Sequence, residues 1–393
     1  MKRIFSLLLT IVLISGIFTG CGMSSDTGKE PASAKTESNG EKKEPIELTF
    51  FYPVQVGGPL TKIIDKFTSD FTEANPDIKV KAVYTGNYDD TSIKTQTAIR
   101  GNTPPDLAVL VATEIYTLID MDAIVPLDDF IAKDGGSQYI NDFLPAFMED
   151  TLYNGKIWSI PFQRSTPVLF YNKDAFKDAG LDPEQPPKNW DELADYAQKL
   201  VVKDSAGNVS RWGVEIPNNA GVAQWLFGGF CLQNSVNGEN LATNDGKRVL
   251  IDTPENVEAL QFWIDLAHKY KVMPEGIIDW SATPSDFISG KTAMMYHTTG
   301  NLINVKTNAK FDFGVSFLPG KKRYGAPTGG GNFYIFKDIS QERQEAAYKF
   351  IRFITEPERA AQWSVDTGYV APRKSSHETE TLKNTMLPFP RLL

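Results

Sequence analysis

The sequence predicts an α/β protein with two domains. Residues 45–393 form a segment longer than one hydrophobic core usually supports, so two domains are expected. The first part of this segment alternates strand-like and helix-like stretches, which is typical of a parallel sheet. No repeat of fixed period occurs, and a solenoid is therefore disfavoured.

The first domain opens with a β-α-β-α-β run. The run consists of a strand at 46–54, a helix with Leu60, Ile63, Ile64, Phe67 and Phe71 on one face, a strand at 78–85, a helix at 91–100 and a strand at 107–112. Asn75-Pro76 ends the first of these helices. The three strands are expected to pair in parallel, because a helix separates each from the next.

Later segments continue the mixture of helices and strands. Asn189, three residues before Glu192, is predicted to cap the helix "WDELADYAQKL", and Thr253-Pro254 to start another. The segments "FDFGVSFLP" and "NFYIF" are predicted strands, and a long helix "QERQEAAYKFIRFI" follows them.

The amino-terminal residues predict export. Lys2 and Arg3 precede an apolar run that is too short for a comfortable membrane span, and small residues then lead to Cys21. This pattern resembles a bacterial lipoprotein signal, which would make 1–20 a signal peptide and Cys21 the lipidated first residue. An ordinary secretory signal is the alternative. Residues 22–44 are polar and are predicted to form a disordered tether behind the anchor.

Composition excludes some partners. The formal charge is −9, and no basic cluster occurs, so nucleic acid is not an expected partner. Of the two cysteines, Cys231 lies in an apolar stretch and is predicted to be buried. If Cys21 is acylated, no disulfide is available and the fold depends on its cores.

No catalytic, metal or cofactor motif is found. The three histidines lack metal-ligand spacing, and there is no G-x-S-x-G elbow. Gly290-Lys291-Thr292 imitates the end of a phosphate loop, but Ser285 stands where the loop needs its first glycine. The sequence therefore predicts a protein that is not an enzyme. An exported carbohydrate-active hydrolase with two facing carboxylates, and an adhesin lipoprotein, stay open as alternatives.

A resemblance to a known family covers most of the chain. Residues 165–200, "STPVLFYNKDAFKDAGLDPEQPPKNWDELADYAQKL", resemble the signature of the family 1 extracellular solute-binding proteins of ABC importers, most of all its glycerol-3-phosphate binders. The segments "FTEANPDIKVKAVYTGNYDD", "FISGKTAMMYHTTGNLINV" and "YGAPTGGGNFYIF" agree in order. The resemblance implies a two-lobed, type II periplasmic-binding-protein-like α/β fold with a hinge, each lobe being a mainly parallel sheet flanked by helices.

The resemblance also implies lobe boundaries and a function. It places 45–162 plus 297–331 in the amino-terminal lobe and 163–296 plus 332–393 in the other. The implied protein is a monomeric receptor that captures a sugar or a polyol phosphate by hinge closure and delivers it to an ABC permease. With Cys21 acylated, it would be held on the extracytoplasmic face of the cell membrane. The solute itself is not determined by the sequence.

The same resemblance implies cleft residues that bind the solute. They are Tyr52, Tyr88, Ser165, Trp225, Thr299, Gly330, Asn332 and Tyr369. Core packing is the alternative for the tyrosines and Trp225, and local turn capping for the hydroxyl residues.

The chain departs from the glycerol-3-phosphate binders in three places. Val111-Ala112 stand where those relatives carry a carboxylate, the chain stops earlier, at "NTMLPFPRLL", and Arg164 replaces a small polar residue. Arg164 either clamps an anionic group of the solute or pairs with a carboxylate at the hinge, because a buried cation needs a partner. Both interpretations are kept.

Overall fold

The computed structural model describes residues 44–219, 221–243 and 246–385. The predicted signal peptide and Cys21 lie outside these residues. In the described chain, two lobes follow one another, and the chain then returns to the first.

The first lobe is built on a five-stranded sheet with the strand order β2-β1-β3-β12-β6. Its elements before the chain leaves it are β1 (Ile46–Tyr52), α1 (Leu60–Ala74), β2 (Ile78–Tyr84), α2 (Tyr88–Arg100), β3 (Leu107–Val111), α3 (Ile115–Asp120), α4 (Asp128–Lys133), α5 (Gly136–Asn141), α6 (Pro145–Met148), β4 (Leu152–Tyr153), β5 (Lys156–Ile157) and β6 (Ile160–Ser165). Strands β1, β2 and β3 pair in parallel, as predicted.

The second lobe is built on the antiparallel strands β10-β7-β11, so the mainly parallel sheet expected for each lobe is not what these strands form. Its elements are β7 (Pro167–Asn172), α7 (Lys173–Asp178), α8 (Trp190–Leu200), β8 (Val202–Lys203), β9 (Val209–Arg211), α9 (Ala223–Asn234), α10 (Pro254–His268), α11 (Thr283–Ile288), β10 (Met294–Thr298), α12 (Leu302–Asn308) and β11 (Phe313–Ser316). Its core packs Trp190, Phe230 and Tyr296 among aliphatic side chains.

The chain then returns to the first lobe. The returning elements are β12 (Gly329–Ile335), α13 (Gln341–Ile354), α14 (Pro357–Thr367) and α15 (Glu380–Thr385). β12 runs antiparallel to both β3 and β6. Phe350 of α13 packs edge-on against Phe71 of α1, 5.1 Å between ring centroids, so helices distant in sequence share one core.

The predicted lobe boundaries are wrong for the last third of the chain. Residues 297–318 belong to the second lobe, because β10, α12 and β11 pack on its strands. Residues 329–385 belong to the first lobe, where Phe333, Ile335 and the apolar face of α13 fill the core. The chain crosses at Thr166, close to the lobe boundary predicted after residue 162, and again at Pro327–Thr328. The boundaries predicted after residues 296 and 331 lie inside β10 and β12.

Helix starts follow the capping residues closely. Asn189 accepts a hydrogen bond from the Glu192 amide (2.9 Å), as its spacing predicts. α2 begins at Tyr88, three residues before the predicted start, because Asn87 and Asp90 form a reciprocal capping box. This cap holds Tyr88 at the first position of the helix, at the edge of the lobe that faces the crossings.

Candidate ligand-binding site

The two crossing segments are bonded to each other at the junction of the lobes. The hydroxyl of Thr166 donates to the carbonyl of Pro327 (3.3 Å), and Ser165 pairs with Gly329 as β6 meets β12. Side chains from both lobes converge on this junction. It is therefore the place where a solute can contact both lobes at once.

Gly330 is required by the backbone at this junction. Its φ of +92° disfavours any other residue, and a Cβ built on it would lie 1.7 Å from the carbonyl oxygen of Gln163. No side chain fits in that space, so β12 and β6 approach closely here only because residue 330 is glycine.

Two tyrosines and Gln163 form the wall of the first lobe. The Tyr88 hydroxyl donates to Oε1 of Gln163 (3.0 Å). Burial raises the pKa of the Tyr88 and Tyr369 phenols above their usual value, and each lies near the other, so both stay neutral. The Tyr369 ring covers Gly300, where a Cβ would meet ring atoms at 3.1 Å. Tyr369 thus links this wall to the second lobe.

Aromatic rings form the facing wall of the second lobe. The Trp225 indole lies against Gly329 and donates to the carbonyl of Thr328 (3.0 Å). Trp280 stands edge-on to Trp225 and stacks on His297, 3.7 Å between centroids. Burial lowers the pKa of His297 to about 3, so this imidazole is neutral. Such a wall can stack on the apolar face of a sugar or a glycerol chain.

The lobes touch across the cleft as well as at the crossings. The Trp280 indole N–H donates to the carbonyl of Gln55, in the loop after β1 (3.1 Å). Asn304 of α12 lies against Gly57 of the same loop, where a Cβ would meet its amide at 2.9 Å. The aromatic wall of the second lobe therefore closes on the first lobe.

Arg164 is fully buried and has protein partners. Its Nη2 forms an ion pair with Asp150 (2.9 Å) and donates to the Thr328 hydroxyl (3.2 Å), while Nη1 donates to Oδ1 of Asn332 (2.9 Å). Its guanidinium also lies over the Phe147 ring, 5.0 Å from the centroid. The structure therefore favours the second interpretation of Arg164, in which its partner is a carboxylate at the hinge, here that of Asp150.

Most of the predicted site residues meet at the junction. Tyr88, Ser165, Trp225, Thr299, Gly330 and Tyr369 are brought together, and the Thr299 amide donates to the carbonyl of Thr166 (3.0 Å). Tyr52 lies apart, packed between Phe50 and Tyr84 in the core of the first lobe. Asn332 is buried and uses its amide to join Arg164 to the Ser159 hydroxyl (3.1 Å), so it supports the site from behind.

Sequence reasoning missed three residues at the junction. They are Asp150, Trp280 and Asn301. Gln163 was expected at the cleft wall beside Arg164 and Ser165, because the three residues form the first crossing that the resemblance implies. The missed residues reach the junction from turns whose position depends on how the lobes pack, and no local pattern marks them.

An apolar cavity lies on the second lobe, away from the junction. Its volume is about 350 Å³, and Phe227, Leu260, Trp263 and Ile264 line part of it between α9 and α10. An occupant of this cavity would contact one lobe only. It therefore does not meet the requirement for a solute that bridges the lobes.

The described residues contain neither a membrane-spanning helix nor a cluster of metal ligands. Within 44–219, 221–243 and 246–385, no helix has the length and apolar content needed to cross a membrane. The same residues contain no group of three or more His, Cys, Asp or Glu side chains placed to hold a metal ion.

Two adjacent crossings join the lobes, and polar and aromatic side chains of both lobes meet at the junction. This arrangement is that of a receptor that closes on a small solute. The chain belongs to the bacterial extracellular solute-binding proteins, whose family profile matches residues 66–388. Relatives in this family serve as substrate-binding proteins of ABC transporters.

Individual relatives agree with this assignment. The sn-glycerol-3-phosphate-binding periplasmic protein UgpB of Salmonella typhimurium is 33% identical over 334 residues, 82% of this chain and 73% of the relative. The structure of UgpB from Mycobacterium tuberculosis in complex with glycerophosphocholine superposes with a TM-score of 0.76 at 26% identity, covering 87% of this chain and 82% of that one. Maltose-bound MalE3 of T. maritima gives 0.75 at 25% identity, covering 87% and 85%.

Proposed function

We propose that this chain captures an oxygen-rich polar solute, a sugar or a glycerol phosphate derivative, between its lobes and delivers it to an ABC permease. The supporting observation is a set of buried polar atoms at the junction, on Gln163, Arg164, Thr299 and Asn301, that have no hydrogen-bond partner in the part of the chain that the structure describes. Buried polar groups in folded proteins are nearly always hydrogen-bonded, so such a set at the meeting of two lobes points to a ligand. The relatives that bind glycerol 3-phosphate, glycerophosphocholine and maltose support the same solute class.

The solute acts by favouring the closed form. A ligand that contacts Tyr88 and Tyr369 on one side and Trp225 and Thr299 on the other is bound better when the lobes are together. Closure follows from this difference in affinity, and the permease can then distinguish the loaded receptor from the empty one. Capture and release require no bond to be made or broken, so the proposed role is that of a binding protein and not of an enzyme. One chain carries both walls of the site, so the proposed receptor is a monomer.

A thermal-shift screen tests the solute class. A ligand present at 100 times its Kd raises the free energy of unfolding by about 2.7 kcal/mol, which is a shift of several degrees in Tm. We expect a shift with at least one of glycerol 3-phosphate, glycerophosphocholine, maltose and mannobiose. No shift with any of them at millimolar concentration would contradict the proposal. Recovery of the solute unchanged after incubation distinguishes binding from hydrolysis.

Attachment to the membrane is a separate part of the proposal. It rests on the sequence around Cys21 and is tested by expressing the full precursor and a Cys21→Ser variant in a bacterial host. We expect the unaltered protein in the membrane fraction and the variant in the soluble extracytoplasmic fraction. The same distribution for both proteins would contradict lipid attachment at Cys21.

A further inference from the structure

The junction contains a cluster of buried polar atoms that have no hydrogen-bond partner within the described residues. The atoms are Gln163 Nε2, Arg164 Nε, Thr299 Oγ1 and Asn301 Nδ2. Gln163 and Asn301 are each 1% exposed, and Arg164 is not exposed at all. Three of the four atoms are N–H donors, and the fourth is a hydroxyl that can also donate.

The two amide side chains are already oriented as donors. Oε1 of Gln163 accepts from the Tyr88 hydroxyl (3.0 Å), and Oδ1 of Asn301 accepts from Nδ2 of Asn304 (2.9 Å). In each amide the oxygen already accepts a hydrogen bond, and the NH₂ group has no partner within the described residues. An unpaired buried donor is unfavourable, so this arrangement calls for acceptor oxygens on the ligand.

The positive charge at the junction is neutralised by the protein. Arg164 is the one cationic side chain among the described residues that form this cluster, and Asp150 holds it in an ion pair at 2.9 Å. Asn332 and Thr328 take further guanidinium donors. Burial keeps His297 neutral. The cluster therefore offers many donors but no net positive charge.

Carboxylates stand at the edges where the lobes meet. Asp89, in the first turn of α2, lies 3.4 Å from the Cβ position of Gly221 in the second lobe. Asp279 precedes Trp280 and accepts from the Asn219 side chain (3.3 Å). These acids disfavour an approaching anion, and desolvating a doubly charged group without a free cation is costly.

Asp150 occupies a distinctive place in this arrangement. Its turn, Glu149–Thr151, packs against the turn Ala112–Glu114 that follows β3. The chain has no carboxylate at Val111-Ala112, and Asp150 reaches the same neighbourhood from another segment. There its carboxylate forms the ion pair with Arg164.

We propose that the site selects oxygen-rich solutes carrying at most one negative charge, and rejects the dianionic phosphate monoester, because Asp150 neutralises Arg164. Neutral sugars and glycerol phosphodiesters share this chemistry. A phosphate monoester carries about −1.5 to −2 charges at pH 7. The inference rests on the proposed function and names Asp150 as the residue that sets the charge of the accepted solute.

Isothermal titration of the full chain at pH 7.5 tests the proposal with three probes: maltose, glycerophosphocholine and glycerol 3-phosphate. We expect maltose or glycerophosphocholine to bind at least about tenfold more tightly than glycerol 3-phosphate. Tighter binding of maltose identifies a sugar receptor, and tighter binding of glycerophosphocholine a phosphodiester receptor. Glycerol 3-phosphate as the tightest ligand would overturn the inference but leave the proposed function standing. Binding of none of the three would overturn the inference, and the thermal-shift screen, which includes mannobiose, would then decide the proposed function.

The variant Asp150→Asn provides a gain-of-binding test. It frees the charge of Arg164, so we expect the affinity for glycerol 3-phosphate to rise about tenfold relative to the affinity of the same variant for maltose. Asp70→Asn, in an exposed ion pair with Lys66 on α1, makes the same change in net charge and should leave all three affinities unchanged. Equal changes for all probes in Asp150→Asn, or the same gain in Asp70→Asn, would contradict the role of Asp150. If Asp150→Asn does not fold, the comparison of the three probes on the unaltered chain decides the matter alone.

Discussion

Gln163 is a single side chain through which hydrogen bonding to the solute can be tested. Its amide oxygen accepts from the Tyr88 hydroxyl, and its buried NH₂ group has no hydrogen-bond partner among the described residues. We expect Gln163→Ala to weaken binding of the best solute about tenfold, since one hydrogen bond to the ligand is lost. Titration calorimetry measures this, and Gln224→Ala, an exposed glutamine on α9, is the matched control. Unchanged affinity in Gln163→Ala would remove this residue from the site.

Glu215 is a buried carboxyl away from the site. It is 4% exposed, its Oε2 has no partner within the described residues, and the nearby charges are Asp286 and Lys291, which pair with each other at 3.0 Å. Burial, with a smaller contribution from Asp286, raises the pKa of Glu215 from 4.5 to about 7. Between these values the unfolded chain is ionised while the folded protein keeps its proton. Stability is therefore lost as the pH rises through this window.

Replacing this carboxyl should remove that pH dependence. Glu215→Gln does not titrate, so its free energy of unfolding relative to the unaltered protein should rise from pH 5 to pH 8 by about 2 kcal/mol. Urea unfolding at the two pH values measures the difference. Glu73→Gln, an exposed position on α1, should show no such change. A difference that is the same at both pH values would contradict the account.

At the scale of elements, the pairing of β6 with β12 depends on Gly330. Ala at this position combines a φ of +92° with a contact of 1.7 Å to a backbone oxygen, so the strands must separate. We expect Gly330→Ala to lower the free energy of unfolding by about 3 kcal/mol or more, and to weaken solute binding. Gly180→Ala has a similar φ of +72° but open space around its Cβ, and should cost only about 1 kcal/mol. Equal losses in the two variants would show that the close approach is unimportant.

Elements were predictable from sequence where local chemistry determines them. Asn189 marks the start of α8, and the alternation in 78–85 marks β2. Lobe membership of 332–385 was not predictable, because it depends on the pairing of β12 with β3, which lies more than two hundred residues earlier, and on the contact of Phe350 with Phe71. Local patterns give an element its type but not its partner.

The site residues also divide into those that the sequence predicted and those that depend on tertiary packing. Tyr88 and Trp225 were expected from the resemblance and lie at the junction, whereas Tyr52 lies in the core. The partner of Arg164 was left open, because Asp150 comes from a turn that only tertiary packing brings beside β6. The unpaired amides of Gln163 and Asn301 cannot be seen in a sequence, since being unpaired is a property of the folded surroundings.

At the scale of the whole molecule, the two lobes are joined by two adjacent crossings and by contacts that a solute can strengthen. Thr166 and Pro327 hold the crossings together, and Trp280 reaches the loop after β1 from the second lobe. Motion about a pair of short crossings is hinge motion, in which each lobe keeps its own core. Binding energy from both walls can therefore be used to close the cleft.

The distance between the lobes, measured with and without solute, tests the central claim most directly. Spin labels at Ile93→Cys on α2 and Ile277→Cys in the second lobe occupy exposed positions, 64% and 83%. Cys21 and the buried Cys231 are replaced by Ala so that only the two new thiols react. Electron-spin distance measurement should show a broad or long distribution without solute, and a shorter, narrower one with the best-binding sugar or glycerol phosphate derivative. A distribution that stays the same when the solute saturates the protein would contradict capture by closure.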